Sequence, residues 1–335
     1  MKASQLTAFG LDHLEEVKQS QPEAGPGQAV VQLKAASINY RDFLIAQGFY
    51  NPNLSLPVVP LSDGAGEVVA VGEGVSAVRA GDRVTPTFFP KWISGPGSYA
   101  EKGASLGCEV DGVLRDFGVF DAESLVKVPA HLSDAEAACF PCAGVTAWHA
   151  LTVAANIKAG DTVLAMGTGG VALFAIQFAK ALGATPIVIS SSDDKIEKAK
   201  ALGAEHGVNY KDTPEWGDAV MELTGGTGVD AILELGGAET LPQSLKAVAF
   251  GGHIALIWQL TGVKIEMPIF SIMGKTAHVH GITVGSRADH EAMMASVAEH
   301  KIKPVVHDTY AFDEAPQEIR DIGACQHFGK MAVQI

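Results

Sequence analysis

The rhythm of apolar and polar positions changes twice along the chain. Up to about residue 130, short runs rich in β-branched residues are bounded by glycine or loop residues: Ala29–Ile38, Gly66–Gly74 and Gly81–Phe89. No long stretch there repeats with a helical period, so the pattern predicts a compact β-barrel-like domain with irregular loops. At Ser133 the character shifts. Ser133 and Glu136 form a capping-box start to an alanine-rich helical region. From Thr162 the chain alternates. The apolar run Thr162–Met166 leads to a helix-period segment at Val171–Gly183, Pro186–Ser190 leads to Asp194–Gly203, and His206–Tyr210 leads to a helix near Pro214–Leu223. Val229–Leu235, Glu239–Ala249 and Gly251–Trp258 continue the series. Strand alternating with helix predicts βαβ units in an α/β, doubly wound parallel sheet. Beyond about Ser286, one helix over Asp289–His300 and a short closing segment return to the first domain. The predicted domains are therefore 1–130 together with 285–335, and 131–284.

Length supports two domains, because 335 residues exceed one ordinary core. The 37 glycines suit many tight strand-to-helix turns. A formal net charge of -14 argues against nucleic-acid and anionic-membrane partners, which need Lys/Arg surfaces. No uninterrupted apolar run reaches membrane-spanning length, and the first residues, MKASQLTAFGLDHLEE, lack an apolar signal core. The four cysteines make no disulfide framework in a chain of this size. A reduced, cytoplasmic protein is the expectation.

One motif carries specific chemistry. Gly167, Thr168, Gly169, Gly170, Val171 and Ala172 read GxGxxA, directly after a predicted strand and at the start of a helix. The first glycine permits a tight turn, the second admits a pyrophosphate close to the backbone, and Ala172 lets helix and strand pack closely. The helix N-terminus supplies N–H donors and a positive dipole end, so the motif predicts a dinucleotide site. About 20 residues on, a site for NAD places an acid that accepts from the ribose 2′-OH. That position holds Ser190, the end of Pro186–Ser190. An acid there repels a 2′-phosphate, whereas a hydroxyl donates to it. Ser191, Ser192, Lys195 and Tyr210 lie close enough to join the same pocket, so NADPH is expected over NADH. Ser192 also suits the N-cap of the following helix, with Asp193 and Asp194 in its first turn.

With these segments in place, the chain resembles the medium-chain dehydrogenase/reductase superfamily over nearly its full length, and most closely its zinc-independent, quinone-oxidoreductase-like members. The resemblance is carried by NYRDFLIAQG, PLSDGAGEVVAVGEGVSAVRAGDRV, PCAGVTAWHAL, VLAMGTGGVALFAIQFAKALGA, KALGAEHGVNY and HFGKMAV. It implies a GroES-like catalytic domain, a Rossmann domain and an active site in the cleft between them. It also implies a homodimer, with the apolar stretch Thr276–Val284 extending a sheet across the dimer axis. Zinc-type members hold catalytic metal with two cysteines and a His-Glu pair. Matched by segment, those positions carry Asn39, Ser62 followed by Asp63, and Cys142. The region of the structural zinc lobe holds only Cys108. One thiol with an amide and a hydroxyl does not make a zinc ligand set. Cys139 and Cys142 have a metal-like spacing but no second cluster, and read as helix packing. No metal is expected.

Without a Lewis acid, the chemistry must rest on hydride positioning and a proton from a side chain or water. Such a site suits quinones and α,β-unsaturated carbonyls, small molecules whose reduced forms are stabilised by conjugation. By resemblance, Tyr40 is the candidate proton donor or oxygen anchor, with Asn39 as an amide donor. Asp42 either orients Tyr40 or pairs with Arg41, and Asp63 interacts with Arg41. A loop held by an Arg–Asp pair and a packed tyrosine is the structural counterpart of that reading. The resemblance further places Thr146, Gly236, Ile257 and Val284 near the cofactor and lets Arg287 reach a phosphate. Phe49, Tyr50, Phe88, Phe89 and Trp92 are loop aromatics that line a substrate pocket or fill the core. The histidines are dispersed, and His278 and His280 alternate as on a strand. Two other readings stay open: an alcohol or aldehyde dehydrogenase that still uses metal, and an NADPH-binding protein without catalysis.

Overall fold

The computed structural model describes residues 1–335. The chain divides into two units, Met1–Val145 with Gly285–Ile335, and Thr146–Val284. The first begins with a hairpin, β1 (Lys2–Leu6) and β2 (Leu14–Lys18). It continues through β3 (Gln28–Ile38), helix Tyr40–Ala46, β4 (Asp63–Val71), β5 (Arg83–Pro86), β6 (Phe117–Asp121) and β7 (Leu125–Lys127). The second unit contains β8 (Thr162–Met166), β9 (Thr185–Ser190), β10 (His206–Asn209), β11 (Val229–Glu234), β12 (Val248–Leu256) and β13 (His278–Gly281). Helix Arg287–His300 returns the chain to the first unit, where β14 (Val306–Tyr310), helix Ala315–Gly323 and β15 (Lys330–Gln334) complete it.

In the first unit the sheet runs β14-β15-β3-β4-β5-β7, with β6 also pairing β3. Its core is built on Val31, Leu33, Ile38, Val68, Leu114 and Phe120, all buried. The register at the end of β3 has consequences for chemistry. Met331 of β15 lies opposite Ile38, and Asp63 of β4 lies opposite Ser37. The first residues of β4 and β15 are thus delivered to the same strand end, beside Asn39. The strand anticipated at Gly66–Gly74 in fact starts at Asp63, because residues from Asp63 onward already pair with β3.

The second unit is a six-stranded sheet in the order β10-β9-β8-β11-β12-β13, with every pairing parallel. Leu164, Ile187, Ile232 and Ile254 fill its core. The short strands and intervening helices follow the alternation in the sequence. The alanine-rich region is more broken than its pattern suggests. Helix Asp134–Ala138 gives way to a π-helical turn at Phe140–Gly144, then helix Val145–His149 and a second π-helical turn at Ala150–Ala154. Pro141, with no backbone N–H to donate, interrupts the ladder there. Helix Asp134–Ala138 packs on β3 and β4, which assigns residues 131–145 to the first unit. No helix is long and apolar enough to cross a membrane.

Candidate functional site

The glycine turn of the second unit has the geometry of an anion cradle. Gly167 follows β8 with φ +79°, and a Cβ built there meets nothing within 4 Å. The turn is fixed from below by Gly167 N donating to the Ile189 carbonyl at 2.7 Å. Gly169 stands at the N-cap of helix Gly170–Ala181 and offers no side-chain cap. The first N–H groups of this 12-residue helix, from Gly170 and Val171 onward, thus carry the helix dipole without a capping side chain. Thr168 and Ala172 are buried, the latter letting helix and strand approach closely. A donor set of this kind fits a dinucleotide pyrophosphate.

At the end of β9, Ser190 is buried and its carbonyl accepts from Tyr210 N at 3.0 Å. Ser190 and Asn209 are register partners, so the ends of β9 and β10 bring Ser190 and Tyr210 side by side. Ser192 is the N-cap of helix Asp193–Leu202, its hydroxyl accepting from Lys195 N at 3.4 Å. Its structural role is therefore realised. Ser191 is half-buried and Tyr210 is exposed beside it. Asp193 accepts from the Asn209 amide at 2.9 Å and Asp194 pairs with Lys198 at 2.7 Å, which occupies both acids of the first turn. The strand end itself carries a hydroxyl, at Ser190, and the nearest carboxylates are those of the helix's first turn.

The loop after β11 is organised by a residue that sequence reasoning passed over. Glu234 is fully buried, and its Oε1 accepts from Gly236 N at 2.8 Å, Gly237 N at 2.9 Å and Thr240 Oγ1 at 2.6 Å. Ser244 Oγ donates to its other oxygen. A Cβ on Gly236 would meet Thr240 Oγ1 at 2.2 Å, so glycine is required there by this network. An acid closing an apolar strand, followed by Gly-Gly, Thr and Ser, is the signal that was available. Ile257 lies on the far wall of this loop, its N–H donating to the Glu234 carbonyl at 2.9 Å. Gly237, Ile257, Trp258 and Val263 line a cavity of about 340 Å³. Thr146 is buried at the start of the unit, and Val284 is a buried β-branched residue held at φ +76°. Such a conformation is sterically strained for valine, and strain of this kind concentrates at functional positions. Arg287 belongs to the first unit, where it pairs with Glu123 at 2.7 Å and Glu291 at 2.9 Å.

In the first unit, the sheet register assembles a buried polar pocket. Asn39 precedes helix Tyr40–Ala46, and Asp42 Oδ2 reaches back to accept from Asn39 N at 2.8 Å, the reciprocal half of a capping box. Asp42 thus fixes the helix start and not Tyr40. Lys330 donates to the Ile38 carbonyl and to Asn39 Oδ1, both at 2.6 Å. Asp63 accepts from Ser62 Oγ at 2.7 Å and from Cys142 N at 3.0 Å, rather than from Arg41. Burial pushes the Asp63 carboxyl above its ordinary range, and the Lys330 charge opposes that rise. Asp42 is pushed up to about 6, again chiefly by burial, with Arg41 3.9 Å away pulling it down.

Arg41 is the structural anchor of the loop. Its guanidinium donates to the Leu106 carbonyl at 3.0 Å and Ser105 Oγ at 2.8 Å, with the Phe88 ring 4.5 Å and the Tyr50 ring 5.1 Å away. Tyr50, read from sequence only as a loop aromatic, therefore lies against a buried cation. Burial raises its phenol, while the charge of Arg41 and a hydrogen bond from it act the other way. Tyr40 is half-buried beside Phe43, with ring centroids 6.1 Å apart, and its phenol is raised by burial and then by Cys325. The two phenols lie in different surroundings. Phe88, Phe89 and Trp92 are core residues, whereas Phe49 is exposed.

Zinc does not fit this pocket. Asn39 Oδ1 is engaged by Lys330, the Ser62 hydroxyl donates to Asp63, and burial drives the Cys142 thiol upward, away from the thiolate that binds metal. No group of three His, Cys, Asp or Glu residues is arranged to hold a metal ion. That includes His253, His278 and His280, which the β12–β13 register stacks together with His253 Nδ1 2.9 Å from His280 Nε2.

Residues 25–130 match the profile of the alcohol dehydrogenase GroES-like domain, and residues 170–299 that of zinc-binding dehydrogenases. A zinc-type alcohol dehydrogenase-like protein of Schizosaccharomyces pombe is 40% identical over 97% of this chain and 96% of its own. An acryloyl-coenzyme A reductase of Metallosphaera sedula is 31% identical over 89% of this chain and 90% of its own. Among solved structures, an NAD-dependent alcohol dehydrogenase superposes with a TM-score of 0.91 at 33% identity, covering 100% of both chains.

Proposed function

Since the chain belongs to the medium-chain dehydrogenase/reductase superfamily, with its GroES-like and Rossmann folds, we propose that this oxidoreductase uses NADPH to reduce a quinone or an α,β-unsaturated carbonyl without zinc. The observation that carries this reading is the pocket at the family's metal position, where Asn39 accepts from Lys330 and Asp63 accepts from the Ser62 hydroxyl and the Cys142 N–H instead of forming a ligand set. A simple alcohol needs strong stabilisation of its alkoxide, whereas an activated alkene or quinone spreads the incoming charge by conjugation. The acryloyl-coenzyme A reductase among the relatives acts on a substrate of that kind.

When bound, the cofactor supplies hydride from its nicotinamide ring. In this reading the Gly167–Val171 backbone holds the pyrophosphate. Ser190, Ser191, Ser192, Lys195 and Tyr210 surround the 2′-phosphate, with Ser192 acting through its helix cap. Thr146, Gly236, Ile257 and Val284 shape the nicotinamide end. Asn39, Asp42 and Asp63 position the polar pocket, and a phenol returns the proton. Tyr50 is the better placed of the two phenols, because Arg41 lies against it, with Tyr40 as the comparison. A cytoplasmic homodimer joined along the open edge of β13 completes the reading. The rival is an NAD-dependent alcohol dehydrogenase, as one structural neighbour is named.

The test is oxidation of NADPH and NADH by the purified protein with quinones, enals and enoyl thioesters, set beside reduction of NADP⁺ and NAD⁺ with primary and secondary alcohols. Preferential turnover of NADPH with a conjugated acceptor is expected. Faster alcohol oxidation that a chelator abolishes would replace this reading with the metal-dependent one, and no turnover of any pair would favour a binding protein.

A further inference from the structure

A buried ammonium is costly unless it is paired and hydrogen-bonded. Lys330 is 4% exposed, yet it has two acceptors at 2.6 Å, the Ile38 carbonyl and Asn39 Oδ1. The register of β15 on β3 puts it there, since Met331 opposite Ile38 carries the preceding residue to Asn39. Its charge acts on several ionisable groups around it. On Asp63, from β4, it is the largest influence opposing burial, and it acts likewise on Glu318 of helix Ala315–Gly323 and on Cys139. Cys142 and Asp42 also feel it, and Arg41 is the other cation of the neighbourhood. The chain therefore brings its own positive charge to the place where family members named for zinc hold a metal.

We propose that Lys330 is a positioning residue and the pocket's internal cation: its ammonium orients the Asn39 amide and balances the Asp63 charge, the part that a metal ion plays among thiolate and imidazole ligands. This rests on the zinc-free reading above. It assigns Lys330, which that reading leaves without a role, and makes Asn39 and Asp63 partners of a lysine instead of leftover ligands. Substituting Lys330 by a neutral side chain leaves Asp63 buried and unbalanced, and substituting Asp63 alone leaves the ammonium so. Removing both removes the problem.

The test is a double-variant cycle with Lys330→Met, Asp63→Asn and the pair together, read by urea unfolding. Each single variant is expected to lower the folding equilibrium about 10-fold or more, the scale of a buried polar or charged group left unsatisfied. The double variant is expected to lose much less than the product of the two. The Lys330→Met loss is also expected to shrink as the pH falls and Asp63 takes up a proton, a trend that lost packing alone does not produce. Wild-type unfolding is expected to ignore both chelator and added Zn²⁺. Independent losses, a pH-invariant Lys330→Met loss, or Zn²⁺ stabilisation that Cys142→Ser removes would each overturn the proposal. If Lys330→Met does not fold, a folded double variant supports it and an unfolded one refutes it. None of these readouts requires turnover, so a chain that reduces no acceptor sinks the functional reading alone.

Discussion

The Arg41 guanidinium lies 5.1 Å from the centre of the Tyr50 ring, and the same guanidinium is anchored by Ser105 and Leu106. Burial raises both phenols, but the Arg41 charge and hydrogen bond oppose the rise at Tyr50, whereas Cys325 adds to it at Tyr40. Tyr50→Phe is expected to lower kcat with a conjugated acceptor by about 100-fold, the scale of a lost general acid. The KM for NADPH is expected to hold. Tyr40→Phe is expected to have a much smaller effect, and the reverse order in steady-state kinetics would return the proton to Tyr40.

Cofactor choice is expected to turn on Ser190. On the NADPH reading, a carboxylate at that buried strand end would meet the 2′-phosphate with like charge, an unfavourable juxtaposition. Ser190→Asp is expected to shift the NADPH-to-NADH ratio of kcat/KM by about 10- to 100-fold toward NADH. An unchanged ratio would mean that the phosphate is bound elsewhere.

Glu234 holds its loop through four donors, from Gly236, Gly237, Thr240 and Ser244. Glu234→Gln puts an amide donor among donors, at an expected cost of about 1–3 kcal/mol for a buried group left unmatched. The loss should appear in thermal unfolding, with a raised KM for NADPH where the loop loosens. A variant as stable as the wild type would show that the loop closes on its own.

Two buried groups give stability opposite slopes with pH. Burial pushes Glu318 up to about 8 from 4.5, and both of its oxygens lack a hydrogen-bond partner. Its contribution is complete below 4.5 and is lost as pH rises through about 8. Burial lowers His290 to about 3 from 6.5, so its contribution is complete above 6.5 and is lost as pH falls through about 3. Each unit of displacement corresponds to about 1.4 kcal/mol. Glu318→Gln is expected to flatten the alkaline side of a stability–pH curve, and His290→Gln the acid side. Parallel curves for variant and wild type would show that these groups are not desolvated as described.

Local signals were legible in the sequence, and distant ones were not. Gly167–Ala172 announces itself because turn, helix start and packing requirement fall within six residues. Ser190 could be found by counting from it. The zinc positions Asn39, Ser62 and Cys142 could be matched by segment, but not the lysine that lies beside Asn39. Lys330 lies 291 residues from Asn39, and only the pairing of β15 with β3 joins them. His253 meets His278 and His280 in the same way, through the register of β12 with β13. The proposed Asp63–Arg41 contact failed for a related reason: β4 aims Asp63 at Ser62 and Cys142, while Arg41 turns toward Ser105.

The split first unit constrains how the molecule is made. A ribosome delivers every strand of the parallel sheet, Thr162 to Gly281, before it reaches β15, which must close against β3. The nascent sheet waits with Ala35–Ile38 of its central strand unpaired on the side that β15 covers, an edge open to the wrong neighbours. Closure waits for β15, whose first residue, Lys330, then brings its ammonium to the Ile38 carbonyl and the Asn39 amide oxygen.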